Sequence, residues 1–384
     1  MKSLVQVLGF ALLLSSGLAC KKGTSQAGSQ FNPIVPSLAG TQGCSGMPPT
    51  LASVDLMNGD TLMGMIGPDS QIVGVAGTDT FYLSAADDSI WLVDVGMGLP
   101  PTMTMLVDNI EIDNLLTNAG VTPPITSDAV ISGMAILDAS NLLVIEQTSN
   151  TLLVVSRVTT NDVSFLVGFP SESGGNSDGA GSLTRFSFTE ITQVLAAGDG
   201  SVFVADSGNH SIRLITPFGV PVSTTIAGFG SPLHNDGGLN QTGFDTPSGL
   251  TVTCAGELIV TEKGSMAMGG HRIRTLLVGD PAFFGGFDGT SDTLIGTGTD
   301  ATLDGIGTLA NVARPVAPLA TSDDILYWVD SSTGQLRSCD LMTLQTTTLG
   351  GVMSMGGEFS LAITDSDELF VLDSMAAMIY RVIP

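Results

Sequence analysis

The chain has 384 residues, of which 43% are apolar, so it can bury a hydrophobic core and a mainly disordered protein is excluded. It carries 37 acidic and 12 basic residues, and the resulting net charge of −25 excludes binding to nucleic acids or anionic lipid headgroups. Glycine is abundant, at 48 residues, while aromatic residues make up only 5%, which indicates many tight turns and short strands rather than charged helices.

The first residues have the pattern of an export signal. One cation, Lys2, precedes an apolar run over residues 4–14, and small residues lead up to Cys20. The apolar run is shorter than the roughly 20 residues of a membrane-spanning helix, and no later segment is apolar for as long. We therefore assign residues 1–19 to a signal peptide and expect no transmembrane helix.

The sequence Gly17-Leu18-Ala19-Cys20 resembles the lipobox of bacterial lipoproteins. The resemblance implies that Cys20 is acylated, and that the protein is an outer-membrane lipoprotein that faces the periplasm or the cell surface. Its membrane contact would be this N-terminal lipid alone. The small residues at 17 and 19 also suit ordinary secretory cleavage, so a freely secreted protein is the alternative. Residues 20–50, rich in Gly, Ser, Thr and Gln, are expected to form a flexible tether.

Three further cysteines, Cys44, Cys254 and Cys339, would lie in an oxidising compartment. Because three thiols cannot all pair with one another, at most one disulfide forms among them. The sequence has no Cys-x-x-Cys motif and no Cys/His cluster, so we expect no structural zinc site.

One motif recurs six times in the rest of the chain. Its clearest copy is VFVADSGNHSIRLI at residues 202–215, in which four apolar residues precede an acid. Seven residues beyond the acid come Arg213 and, in another copy, Arg337, while Arg274 follows after the insertion GSMAMGG. One copy has Ser84 in place of the acid. In the other five copies the acids are Glu146, Asp206, Glu262, Asp330 and Asp373.

Each copy has a strand-like segment upstream and another downstream. Four short strands in each of six units, without helical periodicity, predict an all-β fold: a six-bladed β-propeller of four-stranded antiparallel blades. The last unit ends after its third strand, which would leave an open edge. We therefore expect an N-terminal strand, with residues 60–67 (DTLMGMIG) as the candidate, to complete the last blade and close the ring. Residues 51–384 would then form one domain.

The stretches VFVADSGNHSIRLI, HRIRTL and PSGLTV resemble NHL repeats, most clearly over residues 176–279. This family of propellers implies an exported, non-catalytic module that binds a protein or another cell-envelope partner. We expect it to be a monomer. The long loops 168–190, 229–247 and 279–315 are the expected contact surface, because they vary in length and sequence while the strands do not.

Residue types that recur from unit to unit are expected to be structural, because an enzyme needs one site and a propeller needs equivalent joints. We interpret the acid and arginine columns in this way, and also His210 and His271, which share one position of the repeat. Residues that occur once are better candidates for ligand binding. They are Lys263, the only lysine of the predicted propeller, and His234 in a long loop, beside which Asp236 is a further candidate.

The alternative function is a metal-dependent hydrolase or lyase of the lactonase or esterase kind. Six-bladed propellers of the gluconolactonase and paraoxonase type hold calcium or a related ion at the axis, through Glu, Asn and Asp side chains at the starts of the innermost strands. Glu190 and Glu358 lie one or two places from the aligned ring and are the candidate ligands here. The ring itself has no carboxylate or amide, so we expect no cofactor. Its members are Ser70, Ser132, Thr192, Ser248, Val316 and Phe359.

Asp-Gly pairs at residues 178–179, 236–237 and 304–305 are a second place where calcium would bind, if it binds at all. They lack the alternating Asp/Asn array of a calcium-binding loop, so we interpret them as turns in which glycine adopts a positive φ.

Overall fold

The computed structural model describes residues 50–53, 65–75, 78–95, 102–190, 192–197, 200–216, 219–265, 270–278, 289–350, 353–363 and 369–383. These residues form six antiparallel sheets of four or five strands each. The prediction of a six-bladed β-propeller is therefore confirmed.

The chain begins with β1 (Thr50–Ser53), which lies in the last blade. Blade 1 contains β2 (Ile72–Gly74), β3 (Thr80–Ser84), β4 (Ile90–Asp94) and β5 (Thr102–Val107), and the helix α1 (Asn109–Thr117) follows. Blade 2 contains β6 (Ile131–Ile136), β7 (Asn141–Glu146), β8 (Thr151–Ser156) and β9 (Val163–Val167). Blade 3 contains β10 (Gly179–Ala180), β11 (Val194–Ala196), β12 (Val202–Asp206), β13 (Ser211–Thr216) and β14 (Val222–Gly228).

Blade 4 contains β15 (Gly237–Gly238), β16 (Pro247–Val252), β17 (Leu258–Glu262), β18 (Arg272–Val278) and β19 (Gly289–Ile295). Blade 5 contains β20 (Gly305–Ile306), β21 (Pro315–Ala320), β22 (Ile325–Asp330), β23 (Gln335–Asp340) and β24 (Gln345–Gly350). Blade 6 contains β25 (Phe359–Ile363), β26 (Leu369–Asp373) and β27 (Met378–Ile383). Short 3-10 turns lie at Gly181–Leu183, Ser207–Asn209, Leu239–Gln241 and Gly307–Leu309.

The inner strands are β2, β6, β11, β16, β21 and β25, and each contacts the next in a cycle that returns from β25 to β2. Their backbones touch where side chains are absent. A Cβ atom on Gly133 would overlap the carbonyl oxygen of Thr192, and one on Gly74 would overlap that of Ile363. Six buried apolar clusters, one between each pair of neighbouring blades, fill the ring around this centre. Among the described residues, no helix combines the length and the apolar character needed to cross a membrane.

The segment that pairs with the last strand lies earlier in the chain than we expected. Thr50–Ser53 runs antiparallel to β27, with Thr50 opposite Ile383. The predicted closing segment, residues 60–67, lies partly outside the described residues. In its described part, the carbonyl oxygen of Met65 accepts a hydrogen bond from the amide of Ala86 in blade 1. That an N-terminal strand closes the ring stays a prediction, with Thr50–Ser53 now its candidate.

Blades 3, 4 and 5 each have a fifth strand that the sequence did not predict. It begins at the glycine of each Asp-Gly pair: β10, β15 and β20 run antiparallel to the outer strands β14, β19 and β24. The loop that enters each of these blades therefore crosses to the outer edge before it reaches the inner strand. This path brings the aspartate of each Asp-Gly pair over the sheet.

In each of these three blades a buried arginine links the acid of the repeat to the aspartate of the Asp-Gly pair. In blade 3, Nη1 of Arg213 lies 3.1 Å from Oδ2 of Asp206, and its Nη2 lies 2.9 Å from Oδ1 of Asp178. Arg274 bridges Glu262 and Asp236 in the same way. The third bridge joins Arg337 to Asp330 and Asp304. Each guanidinium also lies over an aromatic ring. These contacts support the structural interpretation of the acid and arginine columns.

We expect the two acids of one joint to differ sharply in their contribution to stability. Arg213→Met leaves Asp206, which is fully buried, without its cation, so the free energy of unfolding should fall by about 3–5 kcal/mol. Asp178 is half-exposed, and Asp178→Asn should cost only about 1 kcal/mol or less. Urea denaturation of both variants checks this expectation. Equal losses would contradict the structural role that we assign to the ion pair of Arg213 and Asp206.

The cysteines divide into one bonded and one free thiol among those that the structure describes. Cys339 is free and buried in blade 5, whereas Cys254, in the turn between β16 and β17, is disulfide-bonded. Its partner lies outside the described residues, which leaves Cys20 or Cys44.

Because we expect Cys20 to be acylated, Cys44 should be the partner of Cys254. Peptide mapping of the unreduced protein by mass spectrometry should find a peptide that contains Cys44 linked to one that contains Cys254, and should find Cys339 as a free thiol. A link from Cys254 to Cys20 would contradict both this pairing and the lipid anchor.

Candidate functional site at the axial mouth

The candidate site lies at the end of the ring where the inner strands begin. Glu190 precedes β11 in blade 3, and Glu358 precedes β25 in blade 6. Lys263 follows β17 in blade 4, and because β17 runs antiparallel to the inner strand β16, it lies at the same end. The backbone amide of Lys263 donates to the carbonyl oxygen of Thr246, which anchors the start of the side chain beside β16. We call this end of the propeller the axial mouth.

Three of the residues predicted from the sequence meet at the axial mouth. The Nζ atom of Lys263 donates to Oε2 of Glu190 at 2.6 Å and to Oε1 of Glu358 at 2.6 Å. Lys263 is 4% exposed, while both glutamates are partly exposed. The three residues come from blades 3, 4 and 6, so the two hydrogen bonds of Lys263 connect blades on opposite sides of the ring.

The electrostatics of the mouth centre on this lysine. Burial raises the pKa of the Glu358 carboxyl, and the Lys263 ammonium group acts in the opposite direction, while the charge of Glu190 raises that pKa further. Arg314, which precedes the inner strand of blade 5, also lowers it. Two carboxylates therefore share one buried cation with a second cation nearby, and the cluster is close to neutral.

The ring of inner-strand residues offers no better set of metal ligands. Its six members are buried, and its hydroxyl groups bond locally: Ser70 accepts from the amide of Gly67, and Thr192 donates to the carbonyl of Glu190. The Ser132 hydroxyl is buried without a partner. Within the described part of the chain, no group of three or more His, Cys, Asp or Glu side chains could hold a metal. A calcium ion would have to displace Lys263, so the residues do not fit an axial metal.

The other two predicted candidates lie away from the mouth, in the joint of blade 4. Asp236, the aspartate of the blade 4 Asp-Gly pair, binds the guanidinium group of Arg274. Nδ1 of His234 lies 3.2 Å from Nη1 of Arg274. Nδ1 of His234 also lies 3.6 Å from Oε2 of Glu262, and its ring is 22% exposed. All three aspartates of the Asp-Gly pairs are engaged by arginine in this way, which favours the turn interpretation over calcium binding.

His210 contacts a neighbouring blade, as expected for a structural residue. Its Nδ1 accepts a hydrogen bond from the amide of Thr246, which leads into the inner strand of blade 4. Burial lowers its pKa, so the neutral ring is favoured as an acceptor. Burial lowers the pKa of His271 too.

One charged residue at a blade interface was missed by the sequence analysis. Asp88 lies in the turn between β3 and β4, and its Oδ1 accepts from the amide of Ile131 in blade 2 at 2.9 Å. The pKa of Asp88 is raised to about 7: burial is the main cause, the hydrogen bond from Ile131 opposes it, and the nearby acidic charges of Asp69, Glu146 and Asp113 add to it. Its copy of the repeat lacks the central acid, so no column of the alignment pointed to it.

No known protein-family profile matches the chain. Over 88 residues it is 33% identical to the chloroplastic protein SUPPRESSOR OF QUENCHING 1 of Arabidopsis thaliana, a match that covers 23% of this chain and 8% of that protein. The chain thus spans a small part of this relative.

Solved structures resemble the whole ring. The chain has the fold of six-bladed β-propellers. An auxiliary nutrient-binding protein from Bacteroides ovatus matches with a TM-score of 0.54 at 11% identity, over 83% of this chain and 70% of that one. A gluconolactonase from Xanthomonas campestris matches with 0.50 at 16%, over 92% and 98%. Virginiamycin B lyase from Staphylococcus aureus matches with 0.50 at 12%, over 88% and 99%. Such identities show a shared fold, and that fold serves both binding proteins and enzymes.

The buried carboxyl of Asp88 should make the stability of the protein depend on pH. Because folding raises its pKa from 3.8 to about 7, the folded state binds the proton more tightly, and the free energy of unfolding should fall as pH rises through that window. Asp88→Asn keeps the acceptor and suits the left-handed backbone at φ +62. Its advantage in stability should grow from pH 4 to pH 7 and then level off, at no more than roughly 4 kcal/mol.

Urea denaturation at pH 4.5 and pH 8 measures this difference. Asp324→Asn is the matched control, since Asp324 adopts the same φ of +62 but lies in a turn of blade 5. Its effect should be small and equal at both pH values. If Asp88→Asn behaved like the control, the burial of a titrating carboxyl at this interface would be refuted.

Proposed function

We propose that the protein is an exported, lipid-anchored propeller of NHL type that works as a non-catalytic binding module at the bacterial cell envelope. The observation that carries the proposal is the contact of Lys263 with Glu190 and Glu358. In a metal-dependent enzyme these two carboxylates would face a divalent cation, whereas here they are satisfied by a side chain of the protein itself. Catalysis at the axis would have to begin by breaking two charge-assisted hydrogen bonds.

The surface charge indicates the kind of partner. Every lysine and arginine after residue 50 is buried or half-buried, whereas acids such as Asp69, Asp128 and Asp300 are exposed. A surface of this kind repels phosphate-rich and acidic partners and favours neutral or basic ones. The lipid would hold the propeller at the membrane without contact between its acidic surface and anionic headgroups.

The loops proposed for contact carry exposed apolar residues. Phe229 and Leu303 are about half-exposed in loops at the end of the ring where the axial mouth lies. An exposed aromatic side chain is a frequent anchor in protein interfaces. Val158, in the hairpin between β8 and β9, lies at the opposite end and is exposed to a similar or greater degree.

The second candidate function is the metal-dependent hydrolase or lyase. It is favoured by one observation, that Glu190 and Glu358 do converge on a single point. For this enzyme Lys263 would have to leave the mouth when the metal binds.

Replacement of Lys263 separates the two functions. The wild-type protein should contain no stoichiometric metal on elemental analysis, should be inactive against lactones and esters, and should show no rise in Tm with millimolar calcium. Lys263→Met removes the cation that binds both glutamates directly, so its Tm should fall in the absence of calcium and rise again when calcium is added. A tightly held metal in the wild-type protein would overturn the proposal in favour of the enzyme.

The matched control is the triple variant Glu190→Gln, Lys263→Met, Glu358→Gln, in which neither carboxylate remains to need the lysine. It should recover most of the lost stability and should not respond to calcium. The binding role is tested with the immobilised full chain and outer-membrane extract: Phe229→Ser and Leu303→Ser should lose the captured partner, while Val158→Ser should retain it. Capture no greater than that of bare resin would count against a binding module.

A further inference from the structure

Exposed methionines are concentrated at one corner of blade 6. Met355 is 67% exposed, Met375 is 65% exposed and Met378 is 36% exposed. Met355 lies in the loop that leads into β25, Met375 lies in the turn between β26 and β27, and Met378 is the first residue of β27. Methionine is among the residues that proteins most often bury, so three exposed copies in neighbouring segments require a reason.

The buried carboxylate of Asp373 brings these segments together. Its Oδ2 accepts a hydrogen bond from the amide of Ser354 at 2.7 Å, and its Oδ1 accepts one from the amide of Ala376 at 3.0 Å. Each donor is the chain neighbour of one methionine, so the loop and the turn lie side by side. Met378 is the cross-strand partner of Asp373, which places both side chains on the same face of the sheet.

Blade 6 differs from blades 3, 4 and 5 at these positions. Seven residues beyond the acid, where Arg213 and Arg337 lie, blade 6 has Tyr380, whose hydroxyl lies 3.6 Å from Sδ of Met378. Met378 lies opposite the acid on the neighbouring strand, at a position that is occupied by a polar residue in blades 3, 4 and 5. Those residues are Ser211, Arg272 and Gln335. Ionic and polar groups are thus replaced by thioether sulfur.

We propose that Met355, Met375 and Met378 form a binding site for a soft monovalent cation, Cu(I) or Ag(I). Thioether sulfur is a soft ligand that selects Cu(I) over hard ions such as calcium and magnesium. The chain carries a net charge of −25, which raises the local concentration of cations. Binding involves no change of oxidation state: the ion exchanges solvent ligands for sulfur. The site lies on blade 6 and does not depend on the function proposed above.

Methionine-to-leucine variants distinguish a metal site from an apolar docking patch. Leucine keeps a similar volume and apolar surface but has no sulfur, so a patch that only docks an apolar partner would tolerate the change. A site that depends on sulfur ligands would be lost.

The experiment uses the full chain with Cys339→Ala, because a thiol also binds soft metals, and with the disulfide of Cys254 intact. Silver ion is added to protein that carries 13C-labelled methionine methyl groups, and the spectra are followed by NMR. The methyl signals of Met355, Met375 and Met378 should shift together and saturate. The triple variant Met355→Leu, Met375→Leu, Met378→Leu should bind Ag(I) about tenfold or more weakly.

The control is the double variant Met105→Leu, Met342→Leu, which removes two exposed methionines of blades 1 and 5. Its affinity for Ag(I) should equal that of the parent, and competition with a chromophoric chelator should give the same order of affinities for Cu(I). The proposal is overturned if the three methyl signals do not move, or if the triple variant binds as tightly as the parent. The NMR shifts test the site in the parent protein and do not depend on the folding of any variant in this set.

Discussion

The close approach of six inner strands around one axis is the constraint on which the rest of the structure depends. Adjacent inner strands are joined by direct hydrogen bonds, such as that from the amide of Thr192 to the carbonyl of Ser132 at 3.0 Å and that from the amide of Gln193 to the carbonyl of Ser248 at 2.9 Å. Glycine is required where backbones meet, as at Gly133. So narrow a centre leaves room at the mouth for few side chains, and a single lysine reaches across it.

Away from the axis the blades diverge, and the chain holds its outer layers in different ways. In blades 3, 4 and 5 a buried arginine lies between the acid of the repeat and the aspartate of the Asp-Gly pair. In blade 2 the acid of the repeat is Glu146, and no arginine of the described residues binds it. Its carboxylate accepts hydrogen bonds from the amides of Val130, Thr148 and Ser149, and burial raises its pKa. Blade 6 has Asp373 bound by backbone amides, with methionines around it. The repeated fold therefore contains joints of different chemistry: blades 3, 4 and 5 share the arginine bridge, whereas the acids of blades 2 and 6 are bound by backbone amides.

The function that we propose depends on one residue at the axial mouth. The two glutamates are close enough to share a ligand, and the fold is found in binding proteins as well as in a gluconolactonase and a lyase. With Lys263 between them, their charge is compensated from within the protein. The geometry of the ring thus permits an axial site, while the identity of one side chain decides what fills it.

The sequence by itself determined the repeat, the strands and the blade count, and it identified the acid and arginine columns as structural. These features depend on contacts within one blade, between residues close in the chain, so each appears as a signal that recurs from copy to copy. The sequence also singled out Lys263, Glu190 and Glu358, but as separate residues. Only the tertiary structure decided that they meet, because these contacts join residues 73 and 95 positions apart and occur once. The pairing of Thr50–Ser53 with β27 and the blade interface at Asp88 were not predicted for the same reason, because a contact made once leaves no periodic pattern in the chain. The fifth strands recur in three blades, but each has only two residues, which is too short for a strand pattern.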